Sequence, residues 1–260
     1  MHRFTNLASA PGLVQAVSGR LGGVSEGHFA SLNLGLGSSD RREAVLENRR
    51  RLAAALDIPS NRFIRPYQVH GVDCLVVGRE EVAAGLPGSA DVANRVDCLL
   101  TAEPGIYLLM TFADCVPVLL FDRVRRVVGL VHAGWRGTLA GAPRRTLATM
   151  AERFGSRPED VLVGIGPSIG PCHYEVGPEV VEATQRAFPG REDLLAARGG
   201  GKARLDLWRA NAYQLQAAGV PEANVEVAGL CTVCRNDLLF SYRAGKGKTG
   251  FHGAVIGLRA

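Results

Sequence analysis

Val116-Pro117-Val118-Leu119-Leu120-Phe121-Asp122-Arg123-Val124-Arg125-Arg126-Val127-Val128-Gly129-Leu130-Val131-His132 decides the architecture of this chain. Two short apolar runs, Val116 to Phe121 and Val127 to Val131, flank the charged stretch Asp122-Arg123-Val124-Arg125-Arg126. Apolar runs of this length, rich in Val and Leu, are too short for a core helix and read as buried strands. The stretch between them is of hairpin length. Strands joined by a tight turn are antiparallel, so the sheet they enter cannot be all parallel.

Upstream, Leu13 to Ser18 reads as a first strand, followed by the loop Gly23-Val24-Ser25-Glu26-Gly27. Asp40, with Glu43 three residues on, has the form of a capping box. The helix it opens carries Val45, Leu46, Leu52, Ala53 and Leu56 at helical spacing and stops before Pro59. Ile106 to Phe112 is a further buried strand. Downstream, a helix starts near Pro143, where the missing N–H costs nothing, and buries Leu147, Met150 and Phe154. Val161 to Ile165 is a strand, Pro178 opens a helix through Phe188, and Asp206 caps one that ends at Gly219. Val225 to Ala228, Leu238 to Tyr242 and Ala254 to Leu258 close the chain as strands. The elements alternate without a linker, repeat or low-complexity segment, so the fold class is α/β or α+β.

A chain of 260 residues, 47% hydrophobic, can bury a large core. No apolar run reaches the ~18 residues of a membrane span, and Met1-His2-Arg3-Phe4-Thr5-Asn6 lacks the apolar core of a signal peptide. A cytoplasmic protein without a membrane partner is expected. The six cysteines are scattered and do not form a disulfide framework. The net charge is +5, spread over arginines that stand near Asp or Glu. No basic stripe interleaves with aromatics, so nucleic acid is not an expected partner. A modest positive bias suits a small anion such as phosphate.

The hairpin carries chemistry at its open end. Centred between Arg123 and Val124, it sets Cys115 opposite His132 with Cβ atoms ~5 Å apart, a separation that suits two ligands of one zinc ion. His70, in Tyr67-Gln68-Val69-His70-Gly71, is the best remaining third donor. A His/Cys/His set leaves one tetrahedral position open, as in catalytic zinc sites. By spacing alone, the same residues also fit a core cysteine with two hydrogen-bonded histidines. Asp114, next to Cys115, reads as a proton shuttle or as a carboxylate that supports the ligands. Arg49 and Arg136 offer guanidinium forks to phosphate, although Arg49 also fits a solvated helix face. Asn33 is a substrate contact or a turn residue. Cys172, after Gly-Pro-Ser-Ile-Gly-Pro, reads as substrate-lining or structural, and Cys231-Thr232-Val233-Cys234 as a lone C-x-x-C of structural character. Gly164-Ile165-Gly166-Pro167-Ser168-Ile169-Gly170 is not a dinucleotide fingerprint, and Gly247-Lys248-Thr249 is not a Walker A loop.

Gln68-Val69-His70-Gly71, Ala113-Asp114-Cys115-Val116-Pro117 and His132-Ala133-Gly134-Trp135-Arg136-Gly137-Thr138 resemble the signatures of the laccase-domain family, known as polyphenol oxidases and also as purine nucleoside phosphorylases. Further matches run nearly end to end: Gly23-Val24-Ser25, Ser31-Leu32-Asn33-Leu34-Gly35, Asn48-Arg49, Ile165-Gly166-Pro167-Ser168-Ile169-Gly170-Pro171-Cys172, Cys231-Thr232 and Phe240-Ser241-Tyr242-Arg243. The resemblance implies one domain over residues 1–260, a mixed β-sheet sandwich flanked by helices. It implies zinc on His70, Cys115 and His132, with Asp114, Cys115 and His132 catalytic. Asn33, Arg49, Arg136 and Cys172 are the expected substrate contacts. The implied activity is phosphorolysis of adenosine, inosine, guanosine and methylthioadenosine, with adenosine deamination beside it, in a monomer or weak homodimer. Alternative readings of the same family are a copper-dependent polyphenol oxidase and an editing factor for peptidoglycan precursors. A multicopper enzyme needs many histidine ligands, and this chain has six histidines in all. The match departs at Thr249-Gly250-Phe251-His252, where family members often have Thr-Gly-Arg, so no phosphate contact carries over there.

Overall fold

The computed structural model describes residues 1–78 and 95–260, and of residues 90–91 the backbone alone. Its strands, in chain order, are β1 (Leu13–Val17), β2 (Phe63–Arg65), β3 (Cys74–Val76), β4 (Ala90–Asp91), β5 (Cys98–Thr101), β6 (Tyr107–Phe112), β7 (Val116–Asp122), β8 (Val127–Ala133), β9 (Val161–Ile165), β10 (Glu175–Val176), β11 (Leu195–Gly199), β12 (Lys202–Leu205), β13 (Val225–Val227) and β14 (His252–Leu258). They form a five-stranded sheet in the order β1-β14-β6-β2-β4, a six-stranded sheet in the order β13-β9-β7-β8-β5-β3, and a small sheet β10-β12-β11. Both large sheets mix parallel and antiparallel pairs; in the six-stranded sheet the hairpin requires it.

Strands β7 and β8 are buried along their whole length because successive side chains leave opposite faces and both faces are covered. Val116, Val118 and Leu120 point to a core shared with Leu147 and Met150 of the helix Ala142–Phe154 and with Ala210 and Leu215 of the helix Leu207–Ala217. Leu119, Phe121, Val128 and Leu130 point the other way, against Leu108, Met110 and Ile256 of the five-stranded sheet. That sheet's outer face packs Val14, Leu109 and Val255 on Leu52 and Ala53 of the helix Arg42–Ala55. The result is a β-sandwich with a helix layer on each outside face. The Ala142–Phe154 helix is bounded by Gly141 at φ 85° and Gly155 at φ 67°, left-handed conformations that glycine adopts without strain.

Three local expectations are corrected. The hairpin is shifted: Asp122 pairs with Val127 and Pro117 with His132, so Cys115 lies diagonal to His132 rather than opposite it. Asp122 Oδ1 accepts from the N–H of Val124 (2.8 Å) and of Arg125 (2.9 Å), and Arg126 takes a φ of 56°. This Asx-type closure moves the centre of the turn by one residue. Asp40 does not cap the Arg42–Ala55 helix; its Oδ2 is held by Ser25 Oγ and Asn33 Nδ2. The run from Leu238 to Tyr242 is not a strand. Its segment folds in successive turns, with Leu239 N–H on Arg235 O and Gly245 N–H on Ser241 O, and these local bonds still allow Leu239 and Phe240 to be buried.

Candidate metal centre

One end of the sandwich gathers the chemistry. Strand β8 ends at Ala133, β7 begins at Val116, β5 begins at Cys98, and these ends are adjacent in the six-stranded sheet. His132 lies on the face of β8 turned toward the five-stranded sheet, and its ring stands 5.3 Å from that of Phe112 at the end of β6. Residues 113–115 cross from β6 to β7, and Asp114 turns there with a φ of 93°. His70 comes from the loop after β2, where the backbone is left-handed at φ 63°. The donor atoms of His70, Cys115 and His132 lie within 4.8 Å of one another. Gly134 follows Ala133, the last residue of the hairpin ladder, whose partner Val116 follows Cys115. A Cβ on Gly134 would come within 2.9 Å of the Cys115 sulfur and 3.2 Å of the His70 ring, so the glycine makes room for the cluster.

Asp97 holds this cluster from behind, and no sequence motif pointed to it. It is fully buried at the head of β5. Its Oδ1 is 2.8 Å from His132 Nδ1, which leaves Nε2 to face Cys115. Its Oδ2 accepts from the N–H of Val69 (3.1 Å) and Gly71 (2.6 Å), the residues on either side of His70. A carboxylate behind a histidine is the usual support of a ligating imidazole. Burial disfavours charge on both Cys115 and His132, yet each favours charge on the other. His132 and His70 hold the Cys115 thiol down at about 6, and Cys115 together with Asp97 lifts His132 to about 9. For Asp97, too, burial opposes ionisation, but His132 and the backbone N–H groups prevail and lower its pKa. A thiolate and two imidazoles converging at this range, one of them braced by a carboxylate, fit a zinc-type ion.

The cluster lies at the wall of a cavity of about 560 Å³, whose lining includes Arg65, Tyr67, Asp114, Tyr174, Tyr242, Arg243 and Phe251. Asp114 is fixed at both oxygens, by Thr232 Oγ1 (2.6 Å) and by the N–H of Arg243 (2.6 Å). Arg243 also donates to the carbonyl of Glu175 (3.2 Å) and lies over the ring of Tyr174. Burial, reinforced by the nearby Cys115, pushes the Tyr174 phenol up, so it keeps its proton. The other residues singled out in the sequence stand around this cavity rather than in its lining. Asn33 is buried, with Oδ1 accepting from Gly35 and Phe251 N–H, and so shapes the loop behind them. Arg49 is buried with Nε and Nη2 on the carbonyl of Leu34. Arg136 is exposed over the Trp135 ring. Cys172 is exposed beside Cys234, 3.6 Å away between sulfurs, so the C-x-x-C is not alone. Tyr174 was missed in the sequence because an isolated tyrosine carries no pattern, and Tyr242, though inside the Phe240-Ser241-Tyr242-Arg243 motif, was given no role there.

A profile of the family described as "Multi-copper polyphenol oxidoreductase laccase" matches residues 14–259. The chain belongs to this family. Among relatives of this laccase-like chain, the purine nucleoside phosphorylase YlmD of Geobacillus stearothermophilus is 41% identical over 254 residues, covering 96% of this chain and 93% of that protein. An adenosine deaminase, RL5, from an unknown prokaryotic organism is 33% identical, covering 83% and 82%. The crystal structure of YlmD from Geobacillus stearothermophilus superposes with a TM-score of 0.90 at 39% identity, covering 99% of this chain and 94% of that one. Among the described residues no helix is long and apolar enough to cross a membrane.

Proposed function

We propose that this chain is a zinc-dependent purine nucleoside phosphorylase that also deaminates adenosine. The observation that carries the reading is the three-donor cluster of His70, Cys115 and His132 at the wall of a cavity of nucleoside size, lined by aromatic rings and arginines. The names of relatives that match nearly the whole chain support it. A zinc ion held by the three donors would supply Lewis-acid chemistry, lowering the pKa of a bound water or polarising the substrate.

The rest of the chemistry falls to the chain. Tyr67 and Tyr242 are largely exposed at the cavity, and their rings offer faces on which a purine stacks. Arg65 and Arg243 supply positive charge for phosphate, which attacks the ribose C1′ as the base departs. Arg49 acts on the site by holding the Leu34 carbonyl, and Arg136, exposed over Trp135 outside the lining, is a cation at the approach for phosphate. Tyr174 keeps an O–H that can donate to the leaving base. Asp114, bonded at both oxygens, holds the wall between Thr232 and Arg243 and turns Cys115 inward. Asn33 sets the loop of Gly35 and Phe251 against the substrate.

The test is incubation of purified protein with adenosine, inosine, guanosine and methylthioadenosine, with and without phosphate. Free base and ribose 1-phosphate are expected only with phosphate, and inosine from adenosine in either case. Base release indifferent to phosphate, or none, overturns the phosphorylase reading. Zinc near one equivalent or more without copper is expected from metal analysis. Several copper equivalents together with oxidation of phenols would replace zinc by the copper chemistry of the family's description.

A further inference from the structure

A second cluster of metal donors stands apart from the first. Cys172, His173, Cys231 and Cys234 bring three sulfurs and one ring nitrogen within 4.8 Å of one another. Topology explains why. Strands β9 and β13 are parallel neighbours, paired from Val163 with Val225 to Ile165 with Val227, so the loops that follow them leave the sheet in the same direction. The loops stay together through a bridge between Ser168 and Cys231, with Ser168 N–H on Leu230 O (3.2 Å) and Thr232 N–H on Ser168 O (3.0 Å). The bridge sets Cys172-His173 of one loop against Cys231-Thr232-Val233-Cys234 of the other.

We propose that these four residues form a closed Cys₃His site for zinc or a similar thiophilic divalent ion, which staples the two loops together. Tetrahedral zinc with bonds near 2.3 Å to sulfur and 2.1 Å to nitrogen requires ~3.8 Å between sulfurs and ~3.6 Å between sulfur and nitrogen. Cys172 and Cys234 sulfurs are 3.6 Å apart. His173 Nδ1 lies 3.3 Å from Cys172, 3.7 Å from Cys231 and 3.4 Å from Cys234. One nitrogen within 3.3 to 3.7 Å of three sulfurs is the arrangement of a ligand shell. The N–H of Gly170 donates to the Cys231 sulfur at 3.3 Å. Such N–H···S bonds favour a thiolate, the form that binds metal. A Cβ on Gly170 would meet the Trp208 ring at 2.6 Å and Cys231 Cβ at 3.2 Å, so the glycine lets both approach. Binding releases the thiol protons to solvent and leaves no open position, which marks a structural rather than a catalytic site.

The staple has a job. Its loops carry Thr232, which holds Asp114, and the carbonyls of His173 and Glu175, which hold the Arg243 guanidinium. The ion thus fixes the part of the cavity wall formed by Asp114, Tyr174 and Arg243.

The test separates the two clusters. Full-length protein purified under reducing conditions is assayed for zinc per chain as wild type, as Cys115→Ser and as Cys172→Ser/Cys234→Ser. Two equivalents are expected in the wild type and one in each variant. Cys115→Ser is then stripped and titrated with cobalt(II). Thiolate-to-cobalt charge-transfer bands that saturate at one equivalent, and a fall in Tm on chelation that zinc reverses, are expected. Cys234→His keeps four donors and should retain the metal with weakened charge-transfer bands, so the proposal stays testable where the double variant fails to fold. Cys115→Ser that carries no zinc and gives no cobalt–thiolate bands overturns it, as does a Cys172–Cys234 disulfide in freshly reduced, metal-loaded protein. Loss of metal in Cys115→Ser with wild-type zinc at one equivalent would implicate the first cluster alone.

Discussion

Replacing Asp97 with Asn keeps the shape of the side chain and removes one acceptor. Both carboxylate oxygens are committed: Oδ1 to His132 Nδ1 at 2.8 Å, and Oδ2 to the N–H groups of Val69 and Gly71 at 3.1 and 2.6 Å. An amide can satisfy one side only. With its oxygen on the backbone donors, its NH₂ faces His132 Nδ1, which must then accept, and the neutral imidazole carries its proton on Nε2, the atom that faces Cys115. With its oxygen on His132, the NH₂ opposes two N–H donors, and the loop holding His70 is pushed away. Either arrangement damages the ligand set, by tautomer or by position. Loss of a carboxylate behind a ligating histidine weakens metal about 10- to 100-fold, or ~1.4–2.7 kcal/mol. Competition for zinc with a chromophoric chelator measures this, and nitrogen-15 shifts of His132 report which ring nitrogen holds the proton. Asp97→Asn that binds zinc within about twofold of wild type, with His132 still protonated at Nδ1, would refute the assignment of Asp97 as the brace of the site.

Gly134 takes φ −69° and ψ 176°, which alanine also adopts, so Gly134→Ala tests space alone. With a Cβ 2.9 Å from the Cys115 sulfur, zinc affinity should fall at least ~10-fold by loss of ligand geometry, and unchanged affinity would show that the thiol has slack. His252 is fully buried, its ring nitrogens lack hydrogen-bond partners apart from a weak backbone influence of Pro167, and burial pushes its pKa down to about 4. A base whose folded pKa lies below its unfolded value of 6.5 is protonated first in the unfolded chain, so stability is lost as pH falls from about 6.5 to 4, in total ~3 kcal/mol. Urea denaturation across that range should find the loss in wild type and a flatter profile in His252→Leu; parallel profiles would contradict it. Asp122→Ala removes the acceptor for two turn N–H groups and should cost about 2 kcal/mol in the same assay, whereas a change under ~0.5 kcal/mol would mean that water replaces the carboxylate.

The parts of the fold that were legible in the sequence are those whose burial is two-sided. β6, β7, β8 and β9 are apolar on both faces, so their runs stand out without any partner being known. β2, β3 and β10 span two or three residues each, too few to show a period, and pair only because longer neighbours offer them an edge. The turn at Asp122 misled by one residue because a side-chain oxygen, not the backbone, closes it. Cys115 and His132 were legible because one hairpin carries both, even with its register shifted; His70 needed the family motifs, since its loop joins another sheet.

Asp97 and the Cys172 and Cys231 cluster share the reason they stayed hidden. Each depends on which strand ends lie side by side, and the order β13-β9-β7-β8-β5 is a tertiary choice that local pattern does not specify. Once that order is known, both follow from one rule. β5 and β7 begin, and β8, β9 and β13 end, at the same rim of the six-stranded sheet. Polar residues at that rim escape the two-sided burial that forces apolar side chains inside the strands, yet the sheet still holds them rigidly. Asp114 ties the two groups together, since it precedes the ligand Cys115 and accepts from Thr232 inside the C-x-x-C. Asp114→Ala removes its bonds to Thr232 and to the Arg243 N–H and should loosen the wall that Arg243 closes, read as a raised KM for nucleoside with zinc per chain unchanged from wild type.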